Sequence, residues 1–309
     1  MIAPAANAAL IDKAKEVKGR SLWVDARRRL LRNRAAMVSI VILTIIALMA
    51  IFAPLLSPYA FDAIDYNVVS CAPDWWPDQM VMCNAGGWHL FGTDDVGRDL
   101  FIRTLYGARV SLAVGLVATL VSLLIGVTYG ATAGFIGGRV DEVMMRAVDV
   151  LYSLPFIFFV IILMVIFNRN FILLFVAIGA VEWLTMARIV RGQTLSIREK
   201  EFIEAARAAG VGTFGNITRH VMPNVVGPVI VYVTLTIPSV ILAESFLSFL
   251  GLGVQEPLTS WGVLISEGAN AMETAPWTLI FPAAFMAITL FCFNFIGDGL
   301  RDALDPKDR

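Results

Sequence analysis

An all-α, polytopic membrane protein with six transmembrane helices is the fold class this sequence predicts, and three observations predict it. Of the 309 residues, 58% are hydrophobic and only 16% are charged, against about a quarter charged in soluble domains. Six segments are each long and apolar enough to cross ~30 Å of hydrocarbon, which takes roughly 20 helical residues. Basic residues also alternate in density from loop to loop, as a bilayer imposes. A water-soluble helical bundle of this length would not need such apolar runs. The net charge of −1 says little, because a membrane separates the charges into two compartments.

In chain order, a polar, basic stretch comes first (residues 1–34). It lacks the short apolar core and small-residue cleavage site of a signal peptide, so the first apolar segment reads as a retained anchor. The six expected spans are Ala35–Leu55, Ser111–Ala133, Ala147–Phe167, Phe171–Val190, Val225–Leu247 and Trp277–Gly297. Only Asn168, Arg169 and Asn170 separate the third from the fourth, which predicts a tight helical hairpin. Pro155, Pro238 and Pro282 fall inside spans; neighbouring helices can satisfy the backbone groups they free. The expected organisation is a terminal segment (1–34), a first transmembrane helix (35–56) and a long loop (57–110). A five-helix core (111–297) with an inserted loop (191–224) follows, then a short tail (298–309).

Orientation follows from the basic residues. Twenty of the 24 Lys/Arg lie in the first segment, the loops after spans two and four, and the tail. Only Arg98, Arg103, Arg109 and Arg169 lie in the alternate loops. Both termini are therefore expected in the cytoplasm, with 57–110 and 248–276 outside. Cys71 and Cys83 share the long outer loop. An oxidising compartment permits a bridge between them and 11 intervening residues can close the loop, so a bridge is the favoured expectation; two free thiols are the alternative, because sequence does not give geometry.

The inserted loop is the most specific feature. In Glu199-Lys-Glu-Phe-Ile-Glu-Ala-Ala-Arg-Ala-Ala-Gly-Val-Gly-Thr213, Phe202, Ala205, Ala206 and Ala209 fall on one face of a helix, with Glu204 and Arg207 elsewhere. The face is mostly alanine, so another surface can approach closely. Gly210 is placed to be the left-handed residue after the helix, and Thr213 to cap a second helix running to Pro223. Periodicity alone fits an ordinary interfacial helix as well.

Glu204-Ala205-Ala206, three residues, then Gly210 resembles the EAA loop of ABC-importer permeases. His220-Val-Met-Pro-Asn224 is similar to the peptide and nickel branch of that family. Phe91-Gly-Thr-Asp-Asp-Val-Gly-Arg-Asp-Leu100, Glu244-Ser-Phe-Leu-Ser-Phe-Leu-Gly-Leu-Gly253 and the ending from Asn294 resemble the same branch. The opening Gly19–Trp23 and that ending are most similar to its C-type oligopeptide permease subunits. The resemblance covers nearly the whole chain from Gly19, apart from residues 67–87.

What it implies is the binding-protein-dependent importer permease fold, and a subunit forming half of a peptide pathway. Its partners would be a homologous second permease, two ATP-binding subunits, a periplasmic peptide-binding protein and membrane lipid, with no nucleic acid. The 199–223 loop would couple to the ATP-binding subunits through Phe202, Glu204, Ala205, Ala206, Ala209 and Gly210. Dipeptide, modified-peptide or nickel cargo is the alternative within the family, and an ion-coupled secondary transporter is the alternative outside it. No catalytic constellation, cofactor motif or phosphate-cradling Gly-x-x-x-x-Gly-Lys-Ser/Thr loop occurs in the sequence, so no enzyme activity, cofactor or metal is expected. His89 and His220 fall on opposite sides of the membrane. Among acids near apolar segments, Asp149 and Glu182 are expected near cytoplasmic ends, solvated or salt-bridged. Glu244 is a candidate for the pathway or its outer gate, or for holding the turn that follows it.

Overall fold

The computed structural model describes residues 22–76, 87–166 and 171–304. Its helices are α1 (Leu22–Arg32), α2 (Arg34–Ile51), α3 (Ala53–Leu56), α4 (Leu100–Ile136), α5 (Gly138–Ser153), α6 (Phe156–Ile166) and α7 (Phe171–Arg198). They continue with α8 (Glu201–Ala208), α9 (Thr213–Asn216), α10 (Met222–Phe249), α11 (Trp261–Asn270) and α12 (Trp277–Leu304). No strand occurs among the described residues; Thr93 and Asp99 form an isolated bridge. Among the described residues, four helical stretches are long and apolar enough to cross a membrane: Arg34–Ile51, Leu100–Ile136, Thr213–Phe249 and Trp277–Leu304. At 28 residues, α7 also exceeds the length of a span.

The third expected span is not one helix. The chain breaks at Leu154–Pro155 into α5 and α6. Proline has no N–H to donate and disfavours helical geometry in the residue before it, and Leu154 is accordingly extended, with ψ 129°. The described part of α6 is 11 residues long, so residues before Pro155 belong to an amphipathic helix rather than to the span.

The two ends of the molecule follow from contacts. Near the start of α4, Arg109 donates to the carbonyls of Ala50 and Ile51 at the end of α2, so α2 and α4 run antiparallel. Gly299 of α12 lies against Leu30, Asn33 and Ala36. Arg198, at the end of α7, reaches the last carbonyls of α4, Gly134 and Phe135. Helix α8 also packs beside Phe135. Residues 22–36, α8 and the end of α12 therefore share one end, opposite residues 57–110 and 250–276.

The most extensive helix pair is α4 against α7, and glycine is why they come so close. A Cβ on Gly126 would meet Met186 Cβ at 2.5 Å, one on Gly130 would overlap the Ala187 carbonyl, and one on Gly134 would meet the Arg191 carbonyl at 2.9 Å. Spaced four apart, these glycines lie along one face of α4, the arrangement that lets membrane helices approach backbone to backbone. Gly130→Val is expected to force α4 and α7 apart at a cost of about 3 kcal/mol, read as a lower thermal midpoint in detergent, with Gly130→Ala intermediate. A valine variant with the wild-type midpoint would show that this contact is dispensable.

Candidate functional site

Helix α8 is short, so its placement comes from tertiary contacts rather than from its own stability. Its anchor is Ile203, fully buried among Phe135 of α4, Met186 and Val190 of α7, and Ile217, Val221 and Val225 of the following segment. Arg207 holds the same edge, its guanidinium 5.0 Å from the centre of the Phe135 ring. With that edge fixed, Phe202, Ala205 and Ala209 are exposed and Ala206 is half-buried at the margin. Glu204 is exposed on another face. The four stripe residues thus share a surface, on which Ala205 and Ala209 are open and Phe202 is partly screened by the His220 ring, 6.4 Å away between centres.

Gly210 ends the helix as its sequence position suggested. It has φ +83°, and open space surrounds the position of a Cβ. Its N–H donates to Arg207 O at 2.9 Å, and the Val211 N–H donates to Ala206 O at 3.0 Å, the paired bonds of a Schellman motif. Two expectations for the following segment do not hold. Thr213 is not the cap of the second helix; Gly212 occupies that position and contributes no side chain. Asn216 instead closes the turn, donating from Nδ2 to the carbonyls of Val211 at 2.7 Å and Gly212 at 3.2 Å. Nor does the second helix end at Pro223. It passes through a π-helical turn, Ile217–Val221, into α10, and the wider turn accommodates a residue that cannot donate. The loop is therefore continuous with a span.

At the opposite end, Phe91–Leu100 folds into a buried polar knot. Asp94 accepts from the N–H groups of Val96 at 3.0 Å and Arg98 at 2.8 Å, and from Arg98 Nε at 2.6 Å. Arg98 also donates to Glu256 at 2.8 Å. Arg103 is almost fully buried, 3.0 Å from Glu267 and 3.5 Å from Asp94. Asp99 caps α4 through the Ile102 N–H at 2.9 Å and pairs with His89 at 2.8 Å, and His89 stacks on Tyr59. The hydrogen bond from Arg98 holds the Glu256 carboxyl below its usual range. Burial pushes Glu267 up, against the opposing pull of Arg103 and Arg98. Sequence reading did not find this network, whose partners lie about 160 residues apart; an arginine at the apolar end of a span was the available signal.

Glu244 is fully buried. Its Oε1 accepts from Ser248 at 2.7 Å and from Ser260 at 2.6 Å, and Ser260 caps α11 by accepting from the Val263 N–H. The carboxylate is thus enclosed between the last turn of α10 and the start of α11. Asp149 is salt-bridged to Arg188 at 2.8 Å. Cys71 is disulfide-bonded and Cys292 is a buried free thiol; Cys83 lies outside the described residues. Among the described residues no group of His, Cys, Asp and Glu could hold a metal ion.

Comparison with known proteins places these features in a family. Residues 126–309 match the binding-protein-dependent transport system inner membrane components, and residues 21–73 match the N-terminal TM domain of oligopeptide transport permease C. The chain is 61% identical to the oligopeptide transport system permease protein OppC of Escherichia coli K12 over 294 residues, 95% of this chain and 94% of that protein. Against the protein of the same name in Bacillus subtilis it is 45% identical over 305 residues, covering 99% and 96%. The dipeptide transport system permease protein DppC of Bacillus subtilis is 46% identical over 289 residues, covering 92% and 86%.

Proposed function

This chain belongs to the family of binding-protein-dependent transport system inner membrane components, and from that premise we propose how its parts serve an oligopeptide importer. It is a permease subunit of the oligopeptide class and forms part of the pathway through the membrane. Family membership sets aside the ion-coupled alternative, and the match to oligopeptide permeases over nearly the whole chain favours that cargo over nickel.

Helix α8 is the docking element for a separate ATP-hydrolysing subunit. The observation that carries this reading is the exposed Phe202, Ala205 and Ala209 surface on a helix whose other edge is locked by Ile203. Ile203 packs on the ends of α4 and α7 and on the segment leading into α10, so movement of α8 acts on three helices together. ATP-driven closure of the partners would bias a rigid-body switch between inward-open and outward-open arrangements by contacting α8 differently in each. The end bearing α8 and both termini faces the cytoplasm, and the Phe91–Leu100 knot faces outward, where a second permease and a peptide-binding protein complete the assembly. A disulfide between Cys71 and Cys83 would brace that outer loop.

Cysteines at two exposed sites test the reading. Ala205→Cys should react with an impermeant thiol reagent in inside-out vesicles and become protected when the ATP-hydrolysing subunits are restored. Met272→Cys, exposed at the opposite end, should react only from outside. Equal reactivity of Ala205→Cys with and without those subunits would remove α8 as the docking element.

A further inference from the structure

The molecule's membrane-facing surfaces differ sharply in polarity. Outward residues of α2 (Val38, Val41, Ile45), of α6 (Phe158, Ile162, Val165) and of α12 (Ile288, Phe291, Phe295) are exposed and wholly apolar, as a surface against lipid requires. A groove of ≈ 550 Å³ between α4 and α10, lined by residues such as Leu123, Val127 and Ile230, is almost entirely apolar as well. A second groove of ≈ 570 Å³ between α7, α10 and α12 is different. Gln193, Tyr232 and Arg301 line it alongside Ile189, Val231 and Leu235.

Glu182 lies above that groove. It is seven residues before Ile189 and eleven before Gln193, so the three share one face of α7, with Glu182 roughly 10 Å further into the span than Ile189. Eleven residues into the 28-residue helix α7, it stands near the middle of the span rather than at its cytoplasmic end, where the sequence reading put it. Tyr232 stands beside it, its hydroxyl within reach of Thr185 and Thr236. Glu182 is only half-buried and has no hydrogen-bond or ion-pair partner among the described residues; the nearest base in sequence, Arg188, is committed to Asp149 and to the face of Tyr152. An unpaired, partly accessible carboxyl at this depth cannot face hydrocarbon at tolerable cost when ionised, and such groups face water-filled cavities or substrate paths.

We propose that the α7–α10–α12 groove is this subunit's wall of the peptide pathway, and that Glu182 binds the cationic amino terminus of the passing peptide. Charge complementarity selects this occupant: every unblocked peptide carries an ammonium group, which favours the charged form of a carboxyl beside it and meets it with a charge-assisted hydrogen bond. Gln193 and Tyr232 supply the neutral donors and acceptors that a peptide backbone needs further along. The proposal rests on the oligopeptide-import reading and adds to it the face and the residue that meet the cargo.

The test uses the assembled importer in membranes and has two arms. In the first, Gln193→Cys and Val231→Cys are treated with a charged, water-soluble thiol reagent, with Ile162→Cys and Phe295→Cys as lipid-facing controls. The groove cysteines should react at least about tenfold faster than the controls, because thiolates form in water and not in hydrocarbon. Groove cysteines as inert as the controls would overturn the proposal, whatever the transport result. In the second arm, uptake of a free-amine peptide is compared with uptake of its N-acetylated form. Selection by other subunits cancels when the ratio in wild type is divided by the ratio in Glu182→Gln. That quotient should be about tenfold, the size of one charge-assisted hydrogen bond, and Glu182→Asp should restore most of it. A quotient near one, with wild-type uptake intact, would remove Glu182 from cargo binding. Absence of free-amine peptide uptake by the wild-type complex would instead count against the import reading, and the labelling arm would still decide whether the groove is wet.

Discussion

Gly210→Val is expected to abolish peptide uptake by the assembled importer while leaving the subunit inserted and folded. Gly210 has φ +83°, where a β-branched residue is a genuine outlier costing about 1–2 kcal/mol or more. No atom lies within 4 Å of where its Cβ would be, so the penalty comes from the backbone and not from a clash. The chain escapes it by unwinding the paired bonds from Gly210 and Val211 to Arg207 and Ala206, which re-aims the last turn of α8. The hydrophobic anchor at Ile203 is untouched, so global stability should change little. Ala205→Glu is the companion variant. Ala205 is exposed, so a glutamate there does nothing to the isolated chain, yet it places a charge in a contact that must be desolvated when a partner docks. Uptake and ATP hydrolysis measured together in proteoliposomes separate the outcomes. Loss of both, or hydrolysis without uptake, fits a coupling element. Wild-type uptake in both variants would leave α8 as an interfacial helix and nothing more.

Arg103→Met should produce a large loss of stability. Arg103 is 1% exposed and lies between Glu267 and Asp94. Removing one partner of a buried ion pair costs about 3–5 kcal/mol, because the remaining charge stays buried. The loss here should lie toward the lower end, since Asp94 keeps Arg98 at 2.6 Å and Glu267 retains some access to water. Glu267 already binds its proton more readily than a free glutamate because of burial, and without Arg103 that tendency is unopposed from its nearest side. The double variant Arg103→Met, Glu267→Leu should recover much of the loss, since an apolar pair replaces an ionic one at little net cost. Thermal midpoints of the four chains of the cycle in detergent decide the matter. A double variant less stable than Arg103→Met would show that the two side chains do not act as a pair.

The first helix of the 199–223 loop was legible because it obeys a short-range rule: Phe202, Ala205, Ala206 and Ala209 repeat with the helical period and Gly210 closes the turn. The Gly126, Gly130, Gly134 series is equally present in the sequence as small residues four apart, but which helix it faces depends on tertiary packing. By contrast, the break at Pro155 was hidden by hydropathy. Val148 to Ile166 reads as a largely apolar run, and a hydropathy average does not register one missing backbone donor.

Composition, charge asymmetry and helical period by themselves determined that this chain is helical, crosses a membrane and carries a short helix ended by Gly210 between two of its spans. Each of those properties is a sum over neighbouring residues, so local sequence contains it. Only the tertiary structure decided which edge of α8 is free, because Ile203 chooses its partners from three other segments. Only the structure paired Arg98 with Glu256 and Arg103 with Glu267, or set Glu244 as a buried clamp between α10 and α11. Contacts between residues so far apart in the chain are fixed by how helices pack, and the physical chemistry of a single segment cannot specify its neighbour.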